Sequence, residues 1–190
     1  MRCKMQLYDH LSQKPYSFDF NKWFSLFDDG SNKMYSWKYK LLSAYQNIHL
    51  RNETYDCFQY AIQFKGITVF LHLNIGHILK LPYQKENISK IQLTDIGTSN
   101  SEKRIIFFPT ENYSYKHLFS SKPIILLQVP TDFGICLAVI DGNHRVTSKK
   151  RFHFKNINSL IYMPGHENDF ANLFEYTLYN FLIENHRLLL

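Results

Sequence analysis

Two stretches that are apolar at every position, 125–127 (ILL) and 137–140 (LAVI), flank a turn-forming segment at 130–134 (PTDFG), and nothing else in the sequence restricts the fold as strongly. Alternation would leave one face of a strand in water. Unbroken Ile, Leu and Val require burial on both faces, so the two runs read as paired central strands of one sheet. The second passes directly into Asp141-Gly142-Asn143-His144-Arg145 and then VTSKKR, giving strand, tight turn and helix start without a spacer. Gly142 lets the backbone bend and approach a ligand closely, and the free N–H groups of a helix start favour an anion. His144 and Arg145 would add a titratable donor and a planar fork of donors for phosphate oxygens. The same residues also suit an ordinary helix entry, in which Asp141 or Asn143 caps, Gly142 turns and Arg145 makes a surface ion pair.

Around this centre the texture of the chain changes once. Phe20, Trp23, Phe24 and Phe27 recur at helical spacing over 18–27, DDGSN at 28–32 closes that helix, and 38–48 and 53–64 read as two more, the last capped by Asn52. After Lys65-Gly66 come short β-rich runs at 67–73, 90–93, 104–108, 124–129, 136–140 and 159–162, with Pro130 ending one of them. An amphipathic helix over 169–184 closes the chain. The expectation is an α+β fold: a mainly helical extension over 1–66, then a domain over 67–190 with a mixed sheet and flanking helices.

At 190 residues, with 45% apolar content and 16% aromatics, the chain can bury a core. A net charge of +6 and a pI near 9.1 favour polyanionic partners. Cys3, Cys57 and Cys136 show no CxxC spacing, which speaks against a disulfide framework or structural zinc and for a reducing compartment. The first residues, MRCKMQLYDHLSQ, lack the apolar core of a signal peptide, and ITVFLHLNIGHIL at 67–79 is too short and too interrupted to span a bilayer. A cytoplasmic protein without a membrane partner is expected, with the sequons at Asn52, Asn87 and Asn112 left to chance. Nine histidines form no recognised ligand spacing. A Mg²⁺ held by one carboxylate and substrate phosphates would leave little trace, and Asp95, Asp141 and Glu111 are the acids that could serve. Trp23, Trp37, Tyr35, Tyr39 and Tyr45, interspersed with Lys33, Lys38 and Lys40, fit either an aromatic core or a stacking surface.

The segment 123–163, PIILLQVPTDFGICLAVIDGNHRVTSKKRFHFKNINSLIYM, resembles the core of the ParB/sulfiredoxin superfamily, in which a strand runs into a G-x-H-R or G-x-R-R turn, a helix and another strand. ISKIQLTD at 88–95 resembles the family's opening strand, so the likeness spans 88–165. Sulfiredoxins carry a nucleophilic cysteine where this chain has Asn143, and an amide cannot attack a phosphoryl or sulfinyl group. Partitioning ParB proteins carry a first arginine where this chain has His144, followed by a helix-turn-helix domain for which the chain is too short. The form D-G-x-H-R-x-T/S resembles ParB-like free-serine kinases, matched by Asp141, Gly142, His144, Arg145, Thr147 and Ser148, with Asp95 at the place of their catalytic carboxylate. That branch implies ATP or ADP. ParB-like nucleases use the same scaffold on a phosphodiester.

The run HRVTSKKRFHFK at 144–155 interleaves Lys149, Lys150, Arg151 and Lys155 with Phe152, His153 and Phe154, a mixture that tracks a phosphate backbone and stacks bases, with Phe152 and Phe154 also able to face inward on a strand. The first expectation is therefore a nucleic-acid-binding protein, a nuclease on DNA or RNA. His144, Arg145, Asp141 and Asp95 would be catalytic, and Gly142, Asn143, Thr147 and Ser148 would bind phosphate. A free-serine-type kinase is the second expectation. The third is a non-enzymatic inhibitor of a host nucleoprotein, such as an anti-CRISPR, which the Lys/Asn/Ile-rich composition of AT-rich mobile DNA suggests.

Overall fold

The computed structural model describes residues 2–5, 20–48, 55–64, 67–80, 87–99, 101–111, 114–131 and 134–185. The first elements are β1 (Arg2–Met5), α1 (Phe20–Ser25), α2 (Asn32–Gln46), β2 (Tyr55–Phe64), β3 (Ile67–Asn74) and α3 (Ile75–Ile78). Then come β4 (Ile88–Gln92), β5 (Ile96–Gly97), β6 (Ile105–Ile106), α4 (Tyr115–Leu118), β7 (Ile124–Thr131), β8 (Gly134–Asp141), α5 (Asn143–Arg151), β9 (Asn156–Tyr162) and α6 (Leu173–Glu184), with 3-10 turns at Leu93–Asp95 and Glu167–Asp169. The fold is α+β and divides into two compact units, one of 80–130 with 135–164, the other of the described residues within 2–79, 131–134 and 165–190.

The second of these units is organised by aromatic packing. Helical spacing puts Phe20, Trp23 and Phe24 on one buried face of α1. Phe181 of α6 inserts among Trp23, Phe24, Phe27 and Trp37, with ring centroids 5.1 to 6.2 Å away. Burying one such ring contributes about 1.5–3 kcal/mol. Trp23 and Trp37 thus belong to the core, whereas Tyr35 and Tyr39 stand on the opposite side of α2 at 74% and 72% exposure. Helix α2 starts six residues before the expected 38 because Ser31 accepts the Met34 N–H and caps it there.

The largest departure from expectation is at 53–64, read as a helix and found as β2. Cys57, Phe58 and Tyr60 are buried while Gln59 and Ala61 are exposed, and β2 pairs antiparallel with β3 from Cys57↔Asn74 to Phe64↔Ile67. Tyr, Phe and Ile favour a strand once a partner is present, and β3 follows after two residues. The proposed cap Asn52 lies outside the described residues. A boundary at 66/67 would divide this hairpin, and the two units part after Leu79 instead. The first third is consequently mixed rather than mainly helical.

The other unit carries a mixed sheet in the order β4-β9-β7-β8-β6-β5. β4 is antiparallel to β9, and β9 is parallel to β7. β8 is parallel to β6, and β6 to β5. The two apolar runs are the central neighbours β7 and β8, as their composition requires. Pro130 does not end β7. It stands beyond 124–127, the residues of β7 that pair with β9. The expected strand at 104–108 shrinks to Ile105–Ile106, and Phe107 turns into the core. Helix α5 carries the chain from β8 past β7 to β9, anchored by Val146 among Leu93, Ile105, Ile124, Leu126 and Val139. Among the described residues no helix is long and apolar enough to cross a membrane.

β3 is joined to α6 through one buried carboxylate. Glu175, 1% exposed, accepts the His72 backbone N–H at 2.6 Å and lies 2.8 Å from its ring Nδ1. Burial pulls the His72 pKa down, but the hydrogen bond and charge of Glu175 together raise it above 6.5. A raised folded-state value means that the pair's stabilisation is complete below 6.5 and is lost as pH climbs through the His72 value. We expect the melting temperature to decline over that window in wild type. Glu175→Gln should flatten the decline and cost about 1–3 kcal/mol of stability; a parallel pH profile in the variant would remove the pair from the account.

Candidate functional site

The turn after β8 is fixed by Gly142, which adopts φ 100° as the residue preceding α5. A Cβ there would stand 2.6 Å from Ile124 Cγ2 and 2.7 Å from Arg145 Nη2, so both conformation and space demand glycine. Gly142, at the N-cap, has no side chain to offer the first turn of α5.

Arg145 does not project as an open phosphate fork. Its Nη2 donates to Asp141 Oδ2 and to the Pro123 carbonyl, each at 3.0 Å, with the Arg145 and Asp141 side chains only 12% and 10% exposed. It thereby clamps the end of β8, the first turn of α5 and the entry to β7. The ion pair foreseen in the ordinary helix-entry reading is present, but it is buried rather than superficial. Asp141 is correspondingly committed to Arg145.

Asn143, Thr147 and Ser148 likewise serve the scaffold. Asn143 is buried, accepts the Phe108 N–H and donates to the Val139 carbonyl, both at 2.9 Å. Thr147 Oγ1 accepts the Thr110 N–H at 3.2 Å, and the buried Ser148 Oγ accepts the Ser114 N–H at 3.4 Å. Three side-chain oxygens of α5 therefore hold the backbone of 108–114, where a phosphate-binding role was expected for them. This docking brings α4 beside α5. His117 of α4 then stacks with the exposed His144 at 5.6 Å between ring centroids and 19° between planes. Burial, followed by the charges of His144 and Arg145, lowers the His117 pKa below 6.5. No spacing in the sequence points to His117, since its partner is 27 positions away and only the docked loop joins them.

The basic residues occupy the other end of α5. Nine helical residues place its ends ~12 Å apart, so Lys149, Lys150 and Arg151 in the last turn are remote from Gly142 and favourably placed against the helix dipole. Lys149 Nζ lies 5.4 Å from the Phe154 ring centroid and Lys150 Nζ 5.6 Å from that of Phe107. Burial lowers both lysine pKa values, aided by Arg145 for Lys149 and by Lys103 for Lys150. The helix ends in a Schellman turn: His153 N–H bonds the Lys150 carbonyl and Phe154 N–H the Lys149 carbonyl. His153 takes the left-handed conformation usual for glycine, at φ 57°, which costs about 1–2 kcal/mol. Phe152 and Phe154 therefore lie in this connection and not on a strand. Beside it a groove of about 560 Å³ is lined by Lys150, His153, Phe154, Lys155 and Asn156, with Gln92, Leu93 and Thr94 opposite.

Asp95, at the end of the 3-10 turn, is exposed and makes no hydrogen bond or ion pair among the described residues. Glu111 is also exposed. Among the described residues no three His, Cys, Asp or Glu side chains are gathered to hold a metal ion.

The chain matches no family model, no curated protein and no solved structure.

The two glycines around β8 separate backbone strain from steric demand. Gly134 also has positive φ, at 107°, yet nothing lies within 4 Å of a Cβ built there. Gly142→Ala should cost about 1–3 kcal/mol beyond Gly134→Ala in thermal or denaturant unfolding. Equal costs would mean that the wall formed by Ile124 and Arg145 yields freely.

Proposed function

We propose that this chain is a ParB/sulfiredoxin-like nucleic-acid-binding protein that cleaves a phosphodiester at the start of α5, with His144 and His117 as acid and base. The observation that carries this reading is the stacked imidazole pair of His117 and His144 at the start of α5. The succession β8, Gly142 turn, α5 and β9 supports the family resemblance, since it has the strand, turn, helix and strand expected of that core. A phosphate at this start would accept first-turn N–H groups and meet the positive end of the helix dipole.

The roles follow from charge. His117, kept neutral by its burial and by the cationic groups beside it, is suited to remove a proton from the attacking oxygen. His144, exposed at the turn, donates a proton to the oxygen that leaves phosphorus. One P–O bond forms and one breaks, and the two imidazoles exchange protonation states, to be reset through solvent. Arg145 is a positioning residue here: it holds the turn and contributes fixed positive charge. Asp95 remains the acid from which a water or cation could be approached, and no step is assigned to it.

Incubation with labelled single- and double-stranded DNA and RNA should reveal cleavage that falls by about 10²-fold or more in His144→Ala and in His117→Ala. The wild-type rate should persist as pH falls to 6.5 and drop only below it, where the depressed His117 value is crossed. In His117→Ala that acidic limb should disappear from the residual activity. Undiminished cleavage in His144→Ala would overturn the assignment, and thermal stabilisation by ATP or ADP with no response to nucleic acid would favour the phosphotransferase branch.

A further inference from the structure

We propose that the groove at the C-terminal end of α5 is a subsite for single-stranded nucleic acid, in which an unpaired base stacks on Phe154 while Lys150 and Lys155 take the adjoining phosphates. The inference rests on the reading that the chain binds nucleic acid, but it concerns a different place from the histidine pair.

Five observations converge on it. The groove, about 560 Å³, lies in the range of small-molecule sites and is wide enough to admit a base. Phe154, a lining residue, leaves 40% of its surface open to solvent and carries the Lys149 ammonium 5.4 Å from its ring centroid. Lys150 and Lys155 have no carboxylate partner among the described residues, so the groove presents uncompensated positive charge of the kind that follows a phosphate backbone. The polar side chains of Asn156 and Thr94 offer donors and acceptors to a base edge.

The fifth observation is His153. A Schellman turn is normally closed by glycine, because only glycine takes the left-handed conformation without strain. Here a histidine takes it at φ 57°, and His153 is one of the residues that line the groove. Retaining a strained residue where a glycine would fold better is expected when the side chain is needed for binding.

A base pair would hide the face that Phe154 requires, so the ligand is an unpaired strand. The ~12 Å length of α5 corresponds to about three or four nucleotides at 3.4 Å per stacked phosphate, so one strand can reach both ends of the helix.

The experiment measures binding of a single-stranded oligonucleotide carrying 2-aminopurine, by anisotropy and by the quenching that stacking produces, beside the matching duplex and a mononucleotide. Phe154→Ala, at an exposed position, should weaken single-strand binding by about 5- to 150-fold and abolish the quenching, with Phe154→Trp restoring both. His153→Gly should raise the melting temperature and at the same time lower single-strand affinity. Unchanged affinity and quenching in Phe154→Ala would overturn the subsite while leaving the histidine site standing. A mononucleotide bound as tightly as the oligonucleotide would overturn the single-strand assignment, and failure of wild type to bind any nucleic acid would overturn both readings.

Discussion

The Arg145 guanidinium is the tie on which the turn depends. By donating to the Asp141 carboxylate and the Pro123 carbonyl it joins two central strands to the first turn of the helix that follows them. Its Nε is buried without a hydrogen-bond partner, so the group is held by one nitrogen and by packing, at some desolvation cost. An ion pair in this setting is valuable less for net stability than for the penalty of breaking it: loss of either partner would leave a charge stranded in a largely dry place, at about 3–5 kcal/mol. Gly142 completes the arrangement, because any larger residue would collide with this same guanidinium.

Once Arg145 holds the turn, the distribution of labour along α5 follows. Asn143, Thr147 and Ser148 occupy the side that receives the 108–114 backbone, and each satisfies an N–H that would otherwise be left without a partner as the loop covers the helix. His144 points away from that side and remains exposed, where the docked α4 supplies His117. The chemistry proposed for the turn thus depends on three side-chain oxygens of α5 that hold the backbone at Phe108, Thr110 and Ser114. Disturbing Asn143 would act on His117 without either residue touching the other.

Much of this was legible from the sequence and some of it was not. Strands β7 and β8 were readable because runs apolar on both faces have few other uses, and the turn was readable because Asp-Gly at a strand end followed by polar helix formers is locally self-consistent. The 53–64 segment was not, since Tyr, Phe, Cys and Ile at those spacings suit either period, and pairing with β3 decides between them. The roles of Asn143, Thr147 and Ser148 were hidden for a chemical reason: a hydroxyl or amide that would accept from or donate to a ligand does the same for a backbone amide, and residue type cannot distinguish the two. His117 was hidden for a topological one, because its meeting with His144 is made by the docking of 108–114 on α5.

The two ends of α5 show how backbone conformation separates structural need from functional choice. Both are flanked by a residue in the left-handed region, Gly142 before the helix and His153 after it. At the first, the wall made by Ile124 and Arg145 leaves no room for a side chain, so glycine is imposed by space as well as by φ. At the second, the side chain has a groove to enter and only φ argues against it. Steric exclusion accounts for Gly142 and has no counterpart at His153, which carries a side chain in the same backbone region. The cations gathered in the last turn complement the helix dipole, and burial lowers the pKa of Lys149 and Lys150, aided by Arg145 for the first and by Lys103 for the second. Under the proposed function, a strand of phosphates laid along α5 would meet the positive end of the helix dipole at one end and the lysines of the groove at the other.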